Sequence, residues 1–376
     1  MRIGVLTLPL QANYGGLLQA YALKTILERM GHSVKVIVKS RYRRVPWWKK
    51  PFLYSSRLAR KLFLRQHIAI REEEDFNRML DRLKNRQRFT DVFVNKYIQT
   101  MPIEQFPDIK DGEFDAFVVG SDQIWRTKYA ESMMQSTRDA YLYFARKWKG
   151  IKRVAYAASF GTDEWEYSTK NTAICRELIK LFDAVSVREE SGIKLCKQYL
   201  DYNRAVLMVD PSMLLSKDEY IRIADECKCD HFTGGIFSYF LDNNDTTQII
   251  ERHSQSVYKG KLFRLKENEQ IDPFAPIKPV ETWFRAFQDA EVVITDSFHA
   301  CAFSIIFNKP FWVLGNESRG LARFYSLLGM FGLEERMVKD ATGIKPNMTI
   351  DWGAVNNKRQ MLVEKSLSFL SENLNS

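Results

Sequence analysis

Cysteine is too scarce and too irregularly spaced to frame a disulfide-bonded or zinc-stapled domain. The five cysteines, Cys175, Cys196, Cys227, Cys229 and Cys301, are odd in number and show no repeated metal-ligand spacing. A reduced interior is expected. Histidine is equally sparse, with five in 376 residues, and HExxH, paired CxxC and DxD-like clusters are absent. No metal and no cofactor are therefore expected. The first glycine turn, QANYGG, lacks the spacing of a dinucleotide fingerprint, which argues against a nicotinamide or flavin. Apolar runs are all shorter than a membrane span, and MRIGVLTLPL has no basic leader. The expectation is a cytoplasmic chain, neither exported nor transmembrane. Internal repeats and low-complexity tracts are missing as well.

What the chain has is ample core and one concentrated charge. Hydrophobic residues make up 45% and aromatics 13%, the composition of a globular protein. A length of 376 residues favours two domains, 1–215 and 216–376. The formal charge is +10, from 56 Lys and Arg against 46 Asp and Glu. Eleven of those bases and no acid lie in an insert at 39–71, leaving 45 bases against 46 acids elsewhere. The insert also holds Trp47, Trp48, Phe52, Tyr54, Phe63 and Leu64. Such a mixture suits an anionic membrane surface, here the inner face of the cell membrane, with a solvated helical hairpin as the alternative. Nucleic acid is not expected as a partner, since no nucleic-acid motif accompanies the charge.

Strands and helices alternate throughout. Residues 2–8 read as a strand, 17–30 as an amphipathic helix closed by Gly31, and 33–38 as a second strand. The polar and reactive residues gather at turns where strands end. The first turn offers Gly15 and Gly16 for close backbone approach, with Asn13, Tyr14 and Gln19 as hydrogen-bonding groups for an acceptor. A second, after the run 114–119, offers Ser121, Asp122 and Trp125. Arg188 follows the strand 184–187, where a guanidinium fork suits carboxylate or phosphate, or pairs with the neighbouring Glu189 and Glu190.

The stretch 291–314, EVVITDSFHACAFSIIFNKPFWVL, reads as strand, sharp turn, helix and strand. Asp296 and Ser297 are capping residues, so His299 falls in the first turn of a helix at a strand's carboxyl end. Free N–H groups and the helix dipole favour an anion there. Cys301 lies two residues on and points away from His299, a core position. The alternative is a hydrogen-bonded structural histidine. Arg319 and Arg323 follow one turn apart on a helix over 318–328. The last helix, 355–374, is expected to pack back on the first half.

Six segments, ANYGGLLQAYAL, GSDQIW, AYAASFG, VSVRE, VDPS and TDSFHACAFSIIFNKPFWVL, resemble in order the polysaccharide pyruvyl transferase family. The resemblance implies two doubly wound α/β domains facing across a cleft, similar to GT-B glycosyltransferases. It implies phosphoenolpyruvate as donor substrate and a saccharide acceptor, usually cell-surface or lipid-linked. The family's donor site matches Arg188 and the run Ser297-Phe298-His299. In one branch that run is Arg-Leu-His, so Ser297 stands where an arginine would contact the anion, and Arg319 or Arg323 is expected to supply the contact. His299 and Asp122 are the expected acid/base groups. A nucleotide-sugar glycosyltransferase and a non-catalytic membrane assembly factor remain the alternatives.

Overall fold

Apolar, β-branched strands separated by helices predict buried parallel sheets. The computed structural model has that architecture, and it describes residues 1–39, 50–63, 72–134, 136–227, 229, 231–233, 235–265, 274–315 and 320–375. The chain runs β1 (Arg2–Leu6), α1 (Tyr14–Arg29), β2 (Ser33–Lys39), α2 (Lys50–Phe63), α3 (Glu72–Tyr97), β3 (Thr100–Ile103), β4 (Ala116–Val119), α4 (Thr127–Met134), β5 (Lys152–Ala158), α5 (Thr169–Ile179), β6 (Ala184–Val187), α6 (Glu190–Leu200) and β7 (Val206–Leu207). It continues through α7 (Lys217–Glu226), β8 (Gly235–Tyr239), α8 (Asp245–Tyr258), β9 (Lys261–Arg264), α9 (Val280–Asp289), β10 (Val292–Thr295), α10 (Phe298–Ile306), β11 (Phe311–Leu314), α11 (Ala322–Phe331), β12 (Met337–Val338) and α12 (Trp352–Leu374).

Seven strands pair in the order β3-β2-β1-β4-β5-β6-β7 and five in the order β12-β11-β10-β8-β9. Every pairing is parallel, so all carboxyl ends of a sheet lie along one edge. Strand residues alternate between two cores. Ala116 and Val118 face one, Phe117 and Val119 the other; in the second sheet Phe237 and Val293 face one, Ile236 and Ile294 the other. Both sheets are therefore covered on both faces, which is the doubly wound arrangement. The cluster holding Val118 also holds Val293, so the two sheets are joined through a continuous apolar core.

Each half sends a helix over its neighbour. On α12, Arg359 donates to the carbonyls of Met213 and Leu215, and Phe369 approaches Tyr156 with ring centres 6.3 Å apart. From α3, Lys96 and Tyr97 both reach Glu226 at 2.9 Å, while the Ile277 amide donates to the Arg86 carbonyl at 3.1 Å. Of the basic insert, 40–49 and 64–71 lie outside the described residues, and α2 is the part that can be seen. Among the described residues no helix is long and apolar enough to cross a membrane.

Candidate active site

Strand order reverses between β1 and β4 in the first sheet and between β8 and β10 in the second. At such switch points the loops diverge and leave a crevice at the carboxyl ends. Here the two crevices meet. A cavity of about 400 Å³ is lined from β1 to α1 by Gln11, Asn13 and Gly16, after β4 by Asp122 and Gln123, after β8 by Leu241, and after β10 by Asp296, Ser297, Phe298 and His299. Arg86 of α3, Tyr129 of α4 and Arg323 of α11 close it.

The β10–α10 turn is rigid because its polar groups are paired locally. Ser297 caps α10, its hydroxyl accepting from the Ala300 amide at 3.4 Å, and its own amide donates to the Thr295 hydroxyl at 2.9 Å. Asp296 accepts from the Leu241 amide at 2.6 Å and from the Asp242 amide at 3.3 Å, tying the two switch-point loops together. Asp296 is thus an anchor. Cys301 is fully buried, and burial pushes its thiol up, which leaves it unfit as a nucleophile.

His299 stands where the halves touch. A methyl placed on Gly15 would lie 2.0 Å from its Nδ1, so the first turn of α1 can lie flat against the imidazole only because residue 15 is glycine. The opposite nitrogen, Nε2, is 3.5 Å from Oδ2 of Asp210. That is the outer limit of a hydrogen-bond distance.

Asp210 collects the site's buried charge. Its Oδ2 accepts from Arg188 Nη1 at 2.6 Å and from the Ser121 hydroxyl at 3.1 Å, while Oδ1 accepts from the amide and hydroxyl of Ser212 at 3.0 and 2.7 Å. Burial alone would raise this carboxyl, yet His299, Arg188 and Ser212 outweigh it and hold the group ionised, well below the usual carboxylate range. Arg188 is itself buried, with its guanidinium carbon 4.3 Å from the centre of the Phe298 ring. Its Nη2 lies 3.7 Å from Asp122 Oδ1. Glu189, one of the two neighbours offered as an alternative partner, instead accepts from the amides of Phe160 and Gly161.

Asp122 has φ 63°, a left-handed backbone that aspartate tolerates better than most side chains. The turn is held by its carbonyl, which accepts from the amides of Ile124 and Ser159, so its carboxylate is presented at the cavity wall. Arg323 is, with Arg86, a cation at that wall. Burial, reinforced by the charge of Arg188, lowers its guanidinium to about 10, so it remains charged at neutral pH.

The structure thus brings Asn13, Gly16, Asp122, Ser297, Phe298, His299 and Arg323 to one cavity, with Gly15 backing His299. Arg188 and Ser121 lie beneath its floor, bonded to Asp210. Three other expected residues serve packing. Trp125 is fully buried, stacked on Tyr141 at 4.7 Å and donating to the Ala140 carbonyl. Gln19 donates to Thr7 and the Gly16 carbonyl, and Tyr14 donates to the Lys278 carbonyl across the domain junction. Arg319 lies outside the described residues. Asp210 was not expected, although an acid directly after an apolar strand and before Pro211 is a signal for a capping carboxylate. Among the described residues no group of three or more His, Cys, Asp or Glu could hold a metal ion. A second cavity of about 390 Å³ lies beside α8, where Glu251 accepts from Ser238 and Arg264.

Among solved structures, the UDP-GlcNAc 2-epimerase of Neisseria meningitidis bound to UDP-GlcNAc is similar at 10% identity and a TM-score of 0.49, over 100% of this chain and 99% of that one. Arabidopsis thaliana UGT89C1 complexed with UDP-L-rhamnose is similar at 8% identity and a TM-score of 0.48, over 98% and 97%. No curated protein matches the chain. Residues 13–318 match the family described as polysaccharide pyruvyl transferase, a span that starts at the first glycine turn and takes in Asp122, Arg188, Asp210 and His299. The chain belongs to the polysaccharide pyruvyl transferase family.

Proposed function

We propose that the enzyme moves pyruvate from phosphoenolpyruvate onto two hydroxyls of one sugar, forming a ketal, and that the sugar belongs to a lipid-linked oligosaccharide or a cell-surface polysaccharide precursor such as that of a capsule. The observation that carries this reading is the cavity at the joined switch points, where His299, Asp122 and the cation Arg323 meet at a helix start. Phosphoenolpyruvate brings a carboxylate and a phosphate. The first N–H groups of α10 have no partner within the helix and favour one anion, and Arg323 offers a fork to the other. Arg323 fills the role left open by Ser297.

The chemistry then follows from proton transfers. A proton added to the donor's methylene carbon leaves an oxocarbenium-like centre, and a sugar hydroxyl adds to it as that hydroxyl loses its proton. The carbon–oxygen bond to phosphate breaks, phosphate leaves, and the second hydroxyl closes the ketal with loss of its proton. His299 takes a hydroxyl proton or, protonated, assists the leaving phosphate, with Asp122 as the second acid/base. None of these steps calls on a metal or cofactor. Phosphate release from phosphoenolpyruvate, measured with candidate lipid-linked sugars, tests the reaction; a chain that instead binds nucleotide sugars and ignores phosphoenolpyruvate is a glycosyltransferase.

The acceptor's membrane anchor gives α2 a role. Phe52 and Phe63 are 81% and 84% exposed beside Lys50, Arg57, Arg60 and Lys61, an arrangement suited to anionic headgroups. The chain then acts in the cytoplasm at the inner face of the cell membrane.

A further inference from the structure

Asp210 does more than neutralise Arg188. Its carboxylate cannot turn, because Oδ1 is fixed by two bonds from Ser212 and Oδ2 by Arg188 and Ser121. The imidazole of His299 is confined as well, between the Gly15 backbone and the edge-on ring of Phe298, 5.3 Å between centres. Nε2 is buried and, among the described residues, has no hydrogen-bond partner; the acceptor it approaches is Oδ2 of Asp210. A buried ring nitrogen facing an ionised carboxylate carries the hydrogen, which leaves the lone pair on the other nitrogen.

We propose that Asp210 is a positioning residue that holds Nε2 of His299 protonated, so that Nδ1 is the nitrogen that exchanges protons with the substrates. The same carboxylate sets Arg188 and His299, which come from opposite sheets, in one register. The dyad spans both sheets, since Asp210 follows β7 of the first and His299 follows β10 of the second. This rests on the reading of His299 as the proton-transfer group.

The test is a long-range proton–nitrogen correlation spectrum of the protein labelled with ¹⁵N-histidine, with His299 assigned by its loss in His299→Ala. A hydrogen on Nε2 is expected; a neutral ring with its hydrogen on Nδ1 overturns the proposal. Asp210→Asn removes the charge that favours a hydrogen on Nε2, so the share of that tautomer should fall and kcat should fall by about 10–100-fold, as for other residues that orient a reacting group, with KM for phosphoenolpyruvate changing much less. A folded Asp210→Asn with unchanged tautomer and unchanged kcat also overturns it. If Asp210→Asn does not fold, the wild-type spectrum decides alone. His299→Ala with near wild-type turnover would instead remove the underlying reading, whatever the tautomer.

Discussion

Adding a single methyl to Gly15 forces either the imidazole of His299 or the first turn of α1 to move, given the 2.0 Å approach to Nδ1. Overpacking of this kind costs about 1–3 kcal/mol, and Gly15→Ala should therefore lower turnover sharply and lower the melting temperature moderately. Gly16→Ala is the milder change, since its methyl would meet Asn13 Nδ2 at 3.3 Å and Asp122 Oδ2 at 3.6 Å, and it should cost less. Equal activity losses in the two variants would contradict the assignment. His299→Ala should reduce kcat by about 10²–10⁴-fold while donor binding changes far less, since the helix start remains. Arg188→Ala acts differently, for it strips Asp210 of its closest partner inside the protein. Breaking a buried pair costs about 3–5 kcal/mol, so thermal unfolding should show a large loss, and Arg188→Lys should restore only part of it. Asp210 has a folded pKa below its unfolded value, so the native state resists protonation that the unfolded chain accepts. Its stabilising contribution is present above the ordinary carboxylate range and is lost as pH falls; Asp210→Asn should flatten stability between about pH 5 and pH 2. His299, Asp122 and Arg188 were legible as single residues because strand ends and helix starts are local features. Asp210 was not, since its partners Arg188 and Ser121 lie 22 and 89 positions away and only the fold brings them together.

β5 carries an irregularity just before Ser159, whose amide donates to the Asp122 carbonyl. The register between β5 and β6 shifts between Ala155 and Ala158, and Ala157 takes φ 50° with its amide donating to the Ser186 hydroxyl at 2.9 Å. A left-handed residue other than glycine costs about 1–2 kcal/mol, and a β-branched one more. Ala157→Val should lower the denaturant midpoint without changing the slope, whereas Ala157→Gly should be close to neutral. A neutral valine would mean that the bulge is not required. The longer helices were readable to within a few residues: 17–30 is Tyr14–Arg29, and 355–374 is Trp352–Leu374. The edge strands β3 and β12 were not, because two to four residues show no periodicity, and neither were α4, α5 and α7. The helix expected over 318–328 begins at Ala322.

At the scale of the molecule, the alternation of strands and helices made two doubly wound sheets legible, because a buried parallel sheet leaves an apolar run at every strand. Their meeting through one core was not, since nothing local says which faces of two sheets will share a boundary. The charge asymmetry has a consequence at this scale too. Each Lys or Arg near an anionic surface contributes about 1 kcal/mol, so replacing Lys50, Arg57, Arg60 and Lys61 by Gln should weaken binding to anionic vesicles by several powers of ten, impair turnover of a lipid-linked acceptor, and spare a water-soluble analogue. Equal impairment with both acceptors would make α2 part of the fold or the site. The most direct measurement of the central claim is mass analysis of a saccharide acceptor incubated with the enzyme and phosphoenolpyruvate in the presence of chelator, with released phosphate followed in the same reaction. The account predicts a product heavier by one pyruvate less one water, one phosphate per product, and neither with His299→Ala. Transfer of a sugar from a nucleotide donor, with phosphoenolpyruvate left intact, would contradict it.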